Sequence, residues 1–137
     1  MSARGVPVLS FQLAAVPAAV GQARRWMVAF AQEHSADADL HVRVALAFTE
    51  AFTNAVQHAY DDADPRDDDI GVFADVDDGA LEIVVVDHGA GLRAAPTRNS
   101  LGAGLNIIAQ CADAFAIHER VPDGIEVWMR FVLPASE

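Results

Sequence analysis

Cysteine is almost absent from this chain of 137 residues: it has one, Cys111. A single thiol excludes an internal disulfide framework and fits a reducing cytoplasm. Because Cys111 sits in an apolar stretch, it reads as a buried, inert thiol rather than a nucleophile. Positive charge is also scarce. Nine Lys and Arg stand against 20 Asp and Glu, a formal net charge of −11. Such an acidic surface repels phosphate backbones and argues against direct nucleic-acid binding. A smaller phosphate-bearing ligand stays open, because Mg²⁺ and backbone amides can offset its charge. No uncharged apolar run reaches the roughly 18 residues of a membrane span. The first residues lack a basic segment followed by an apolar core, so no secretory signal is expected.

What is present is a chain of 53% hydrophobic residues. That is enough for a core and too much for wholesale disorder. One domain is expected over residues 1–137, with its ordered core over about 8–134. Residues 6–13 alternate as an edge strand, with Pro7 tolerable near its start. Pro17 suits the first turn of a helix that runs to about residue 34, with Val20, Ala23, Trp26 or Met27, and Phe30 on its core side. A longer helix follows over about 39–60. The acidic tract from Asp61 to Asp69 fails as a calcium loop: the sixth-position glycine is missing, Pro65 interrupts the ligand spacing and no glutamate closes it. It reads as a solvated turn.

Strands are predicted over 70–76 and 81–86, joined by a hairpin turn at Asp77-Asp78-Gly79. The Ile83-Val84-Val85-Val86 run is apolar on both faces, which places it centrally in its sheet. A polar loop over 92–101 leads to a helix opening on glycines over 102–111 or 112, and strands over 115–119 and 125–133 close the chain. The order, rich in hairpins, predicts an α+β two-layer sandwich: a mixed, mostly antiparallel sheet with helices on one face.

Three stretches carry chemistry. In the long helix, Val42, Ala45, Leu46, Thr49, Phe52 or Thr53, and Val56 recur at steps of three and four as the expected buried stripe. Glu50, Asn54 and His58 recur every four residues on another face, one polar row of carboxylate, amide and imidazole. Such groups are costly to bury without a use; alone, chance spacing on a solvated face explains them equally well. Next, Asp87-His88-Gly89-Ala90-Gly91 directly follows the central strand. It holds a carboxylate at a strand end, with glycines that allow close backbone approach. Last, Gly102-Ala103-Gly104-Leu105 stands where a helix is expected to start, and helix starts offer free N–H groups to anions. No Gly-Lys-Ser or Gly-Lys-Thr follows, so it is not a Walker loop, and the spacing does not suit a Rossmann fingerprint.

Taken together and in this order, the three motifs resemble the ATP-binding domain shared by gyrases, histidine kinases and their GHKL relatives. Within that group, Thr49-Glu50-Ala51 through Asn54-Ala55-Val56-Gln57-His58-Ala59-Tyr60 looks like the small anti-sigma-factor serine/threonine kinases. The resemblance implies the histidine-kinase-like ATPase fold, ATP and Mg²⁺ as cofactors, and a cytoplasmic protein. It also implies roles. Glu50 would be the general base and Asn54 the Mg²⁺ ligand, while His58 would support the phosphates or the structure. Asp87 would bind the adenine amine, and Gly89 and Gly91 would shape the purine pocket. Residues 92–101 would form a lid, in which Arg98 would reach the phosphates. Gly102 and Gly104, followed by Leu105, would cradle them. The implied partners are a STAS-domain anti-sigma antagonist, phosphorylated on serine, a sigma factor, and a second copy in a homodimer. Where the family often carries Gly-Thr in its last hairpin, this chain has Gly124-Ile125. That departure keeps open a non-catalytic nucleotide-binding module that regulates by sequestration. A detached histidine-kinase catalytic domain fits less well, because residues 92–101 are too few for its longer lid.

Overall fold

The computed structural model describes residues 8–60, 69–87, 98–120 and 124–135. The elements run β1 (Leu9–Ala14), α1 (Ala19–His34), α2 (Ala38–Tyr60), β2 (Asp69–Asp77), β3 (Ala80–Asp87), α3 (Arg98–Cys111), β4 (Ala114–Glu119) and β5 (Ile125–Val132). This is the expected order. The strands form one sheet in the order β1-β2-β3-β5-β4, and every neighbouring pair is antiparallel. β3 is the central strand, as its doubly apolar run predicts, and β1 is an edge.

Local chemistry sets the β2–β3 hairpin. Asp78 and Gly79 both take positive φ, 55° and 76°. Positive φ at both central positions defines the turn whose twist matches that of the flanking strands. The pairing then runs in register from Asp77–Ala80 to Gly71–Val86.

Alternation along the strands divides the sheet into two faces. Ile70, Val72 and Ala74, then Leu81, Ile83 and Val85, then Ile125, Val127, Met129 and Phe131 are buried and share one face. They join Ala23, Met27 and Phe30 of α1, Leu40, Val44, Phe48 and Phe52 of α2, and Ile108 of α3 in one cluster. α2 lies between α1 and α3 and packs on β2, β3 and β5. The result is a two-layer α+β sandwich with the core between helices and sheet.

The phase of α2 differs from the expectation. Leu40, Val44, Ala47, Phe48, Ala51 and Phe52 are buried, whereas Val42 and Leu46 are 57% and 50% exposed. The helix is apolar along both candidate stripes. The choice falls to the one bearing Phe48 and Phe52, whose rings lie 5.8 Å apart. Large side chains gain most from burial, roughly 1.5–3 kcal/mol each. In α1, Met27 rather than Trp26 enters the core, and Trp26 packs edge-on against Phe11 at the sheet margin.

α3 is anchored at its end. Arg43 of α2 donates to the Cys111 carbonyl (3.1 Å) and to Asp39 (2.8 Å). One orphan carbonyl at the end of α3 is thereby satisfied. Asp113, just beyond, accepts from the Val132 N–H of β5 at 2.7 Å. Cys111 itself is half-buried at the edge of the core, not enclosed as expected, because it falls in the last turn of α3.

Candidate functional site

The helix period brings Glu50 and Asn54 one turn apart on α2, a rise of roughly 6 Å. Glu50 is half-buried. Asn54 is 6% exposed, and no hydrogen bond to its amide is formed among the described residues. A largely buried amide gains from a polar partner, so Asn54 is a candidate ligand-binding group. Its amide oxygen and N–H₂ suit a hard cation or a polar ligand.

Asp87 ends β3 and is 3% exposed. By alternation with Leu81, Ile83 and Val85 it faces the helical layer, the layer in which α2 crosses β3. Asn54 and Asp87 are therefore presented from the two facing layers of the sandwich. The cross-strand partner of Asp87 is Ile125, which is 1% exposed. A carboxylate with a fully buried aliphatic neighbour is a directional acceptor in an apolar wall, suited to an amine on a flat, largely apolar ring.

The other predicted residues are placed as follows. Leu105 is half-buried and packs against the core, where it seats α3. α3 starts at Arg98, four residues earlier than expected. Gly102 and Gly104 therefore lie in its second turn, and the free N–H groups of the helix start belong to residues 98–101. The nearest breaker upstream is Pro96. Nothing between it and Gly102 prevents helix, even though each interior glycine costs about 1 kcal/mol. Arg98 thus belongs to the first turn of a helix, not to a loop. His58 lies in the last turn of α2. Gly89, Gly91 and residues 92–97 of the expected lid lie outside the described residues, as does the acidic tract at 61–68.

The basic side chains are all arginine; the chain has no lysine. Phosphate charge must then be met by backbone N–H groups, by arginine or by a bound cation. Among the described residues no group of three His, Cys, Asp or Glu could cage a metal. Mg²⁺ bound with phosphates does not require one, since it takes one or two protein ligands and completes its shell with phosphate and water. No described helix is long and apolar enough to cross a membrane.

Sequence reasoning missed a second feature. A cleft of about 320 Å³ lies on the opposite face of the sheet, away from Asn54 and Asp87, lined by residues that include Phe73, Glu82, Val84 and Arg120. The signal for it was the second apolar face of β3.

A search of curated proteins found no match to the chain. The sequence does match the family described as histidine kinase-like ATPase domain, over residues 13–131. That span reaches from β1 into β5 and contains Glu50, Asn54, Asp87 and α3. By that match over most of its length, and with an α+β sandwich that agrees with it, the chain belongs to the histidine kinase-like ATPase domain family, an ATP-binding module of the GHKL type.

Proposed function

We propose that the chain is an ATP- and Mg²⁺-dependent protein serine/threonine kinase that also acts as an anti-sigma factor. Its substrate is a STAS-domain anti-sigma antagonist, and its second partner is a sigma factor. The observation that carries this reading is the half-buried carboxylate of Glu50, one helical turn from Asn54, which is 6% exposed. A domain that only holds nucleotide has no use for a base beside the phosphate site.

Each residue has a task. Asp87 accepts a hydrogen bond from the adenine amine and orients the base. Asn54 would hold Mg²⁺, which would supply charge neutralisation among the phosphates. Residues at the start of α3, with Arg98 in its first turn, add N–H and guanidinium donors. Glu50 would take the proton of an incoming serine hydroxyl as that oxygen bonds to the γ-phosphorus and the bond from the γ-phosphorus to the β–γ bridging oxygen breaks, releasing ADP. His58 supports the row from the last turn of α2. Positioning and charge neutralisation supply most of the acceleration, because phosphoryl transfer through a loose transition state asks little covalent chemistry of the protein.

One observation favours a second reading. Ile125 opposite Asp87 offers no hydroxyl to the adenine site, which suits a module that holds nucleotide weakly and regulates its partner by contact. Incubation with labelled ATP and each STAS-domain protein of the same genome tests the proposal. Transfer of label to a serine of one partner is the expected result. Sigma-factor binding without transfer to any partner would hand the case to the non-catalytic module.

A further inference from the structure

α3 is held near one end. Of its described side chains, from Leu105 onward, Ile108 alone is fully buried. Leu105 and Cys111 are partly buried beside it, and the helix packs chiefly against α2. The polar hold is Arg43 of α2. Its Nε donates to Asp39 at 2.8 Å and its Nη1 to the Cys111 carbonyl at 3.1 Å, with Asp113 4.0 Å away. A guanidinium suits this place. The last carbonyls of a helix carry the negative end of its dipole, and one planar fork can serve an acceptor on each of two helices. Asp113 in turn accepts from the Val132 N–H of β5, so the clasp stands where the end of α3 meets the sheet.

The clasp also sets a register. Arg43 lies near the start of α2, so a helix that ends beside it and packs along α2 runs antiparallel to α2. Counted back from Cys111 at the rise common to both helices, the start of α3 falls about level with Val56 of α2, half a turn past Asn54.

We propose that Arg43 is a positioning residue for nucleotide phosphate: by clasping the end of α3 it aims the N–H groups at the start of that helix toward Asn54. The inference rests on the phosphate-binding role proposed for the start of α3. Arg43 itself touches no phosphate. Ile108 is ten residues from Arg98, an arm of roughly 15 Å. With the clasp gone, a swing of about 10° around Ile108 carries the first turn of α3 by about 2–3 Å. That is close to the whole donor–acceptor length of a hydrogen bond. Even about 1 Å of misplacement, set by a distant residue, is enough to cost two orders of magnitude in rate. The adenine end of the site is not on this arm. Asp87 ends β3 and Ile125 opens β5, and the sheet ladder fixes both. Loss of the clasp should therefore weaken the hold on the phosphates and spare the hold on the base.

Calorimetric titration of the full chain with Mg·ATP and, separately, with adenosine reads the two halves. The wild type should bind Mg·ATP more tightly than adenosine. Arg43→Gln should weaken Mg·ATP binding by roughly tenfold, the worth of one hydrogen bond to a charged group, and leave adenosine within about twofold. Arg43→Lys keeps a cation at the end of α3 but loses the fork, so its affinity should fall between the two. Asp39→Asn removes the carboxylate that steadies the guanidinium from α2. Asp39 is 75% exposed, so this variant keeps its fold and decides the matter if Arg43→Gln does not fold. It should weaken Mg·ATP binding by roughly two- to threefold and again spare adenosine. A clasp that only stabilised the fold would lower Tm without ligand and leave the ratio of the two affinities as in the wild type. That result overturns the proposal, and so does an equal loss for both ligands. A wild type with no preference for Mg·ATP over adenosine overturns instead the phosphate role of α3 on which the inference rests.

Discussion

Removing Asn54 should make the protein more stable and unable to bind its ligand. The amide is 6% exposed and unpaired among the described residues. Replacing it with alanine relieves a desolvation cost whose low end, about 1 kcal/mol, applies because the group keeps a little solvent contact. Alanine is also a better residue than asparagine in a helix interior, by roughly half a kcal/mol. Against this, the buried methylene contacts of the side chain are worth about 0.8 kcal/mol. Asn54→Ala should therefore stabilise the ligand-free protein by about 0.7 kcal/mol, a rise of roughly 2–3 °C in Tm for a domain of this size. Ligand linkage should move the other way. At a hundredfold excess over Kd, Mg·ATP adds about 2.7 kcal/mol to the wild type, and the variant should lose nearly all of that rise. Thermal unfolding with and without Mg·ATP, backed by calorimetric titration, reads both effects. A variant clearly less stable than wild type would mean that Asn54 holds the fold together. A variant that keeps the Mg·ATP shift would remove Asn54 from the metal site.

The remaining expectations are narrower. Glu50→Gln should bind nucleotide normally but slow phosphoryl transfer by roughly 10²–10⁴-fold in single-turnover assays with the unphosphorylated STAS-domain partner; transfer at the wild-type rate would take Glu50 out of the chemistry. Asp87→Asn should weaken ATP binding by about 1–3 kcal/mol and narrow the preference for ATP over GTP, since guanine presents a carbonyl where adenine presents an amine; competition titration checks it, and unchanged selectivity would reduce Asp87 to a strand-end residue. Gly79→Ala should cost about 1 kcal/mol in denaturant unfolding. The added Cβ meets nothing within 4 Å and the φ is +76°, so the loss comes from backbone conformation alone and nucleotide binding should not change.

The spacing Glu50-x-x-x-Asn54 was legible because a helix repeats near four residues whatever it packs against. So was the β2–β3 hairpin, because Asp78 and Gly79 can take the positive φ that the turn demands. The central place of β3 followed from its apolar run, which needs partners on both edges. These are consequences of local sterics and of pattern, and a sequence displays both. The start of α3 was not legible. Glycines at 102 and 104 look like a helix boundary, but they sit inside a helix whose far end is pinned by Arg43 and Asp113.

The chain by itself determined the order of its elements, the two-layer class, and a carboxylate–amide row on the longest helix. Only the tertiary structure decided which stripe of α2 is buried, since Val42 and Leu46 are as apolar as Leu40 and Val44 and differ only in what lies opposite them. Only the sheet register put Ile125 beside Asp87, and only the layering set α2 over the strand that ends there. Periodicity is written in neighbours along the chain, whereas burial and cross-strand contact are set by which distant surfaces fill the same space. That is why the motifs could be read one by one, and why the second apolar face of the sheet came into view only when all three helices packed on the other side.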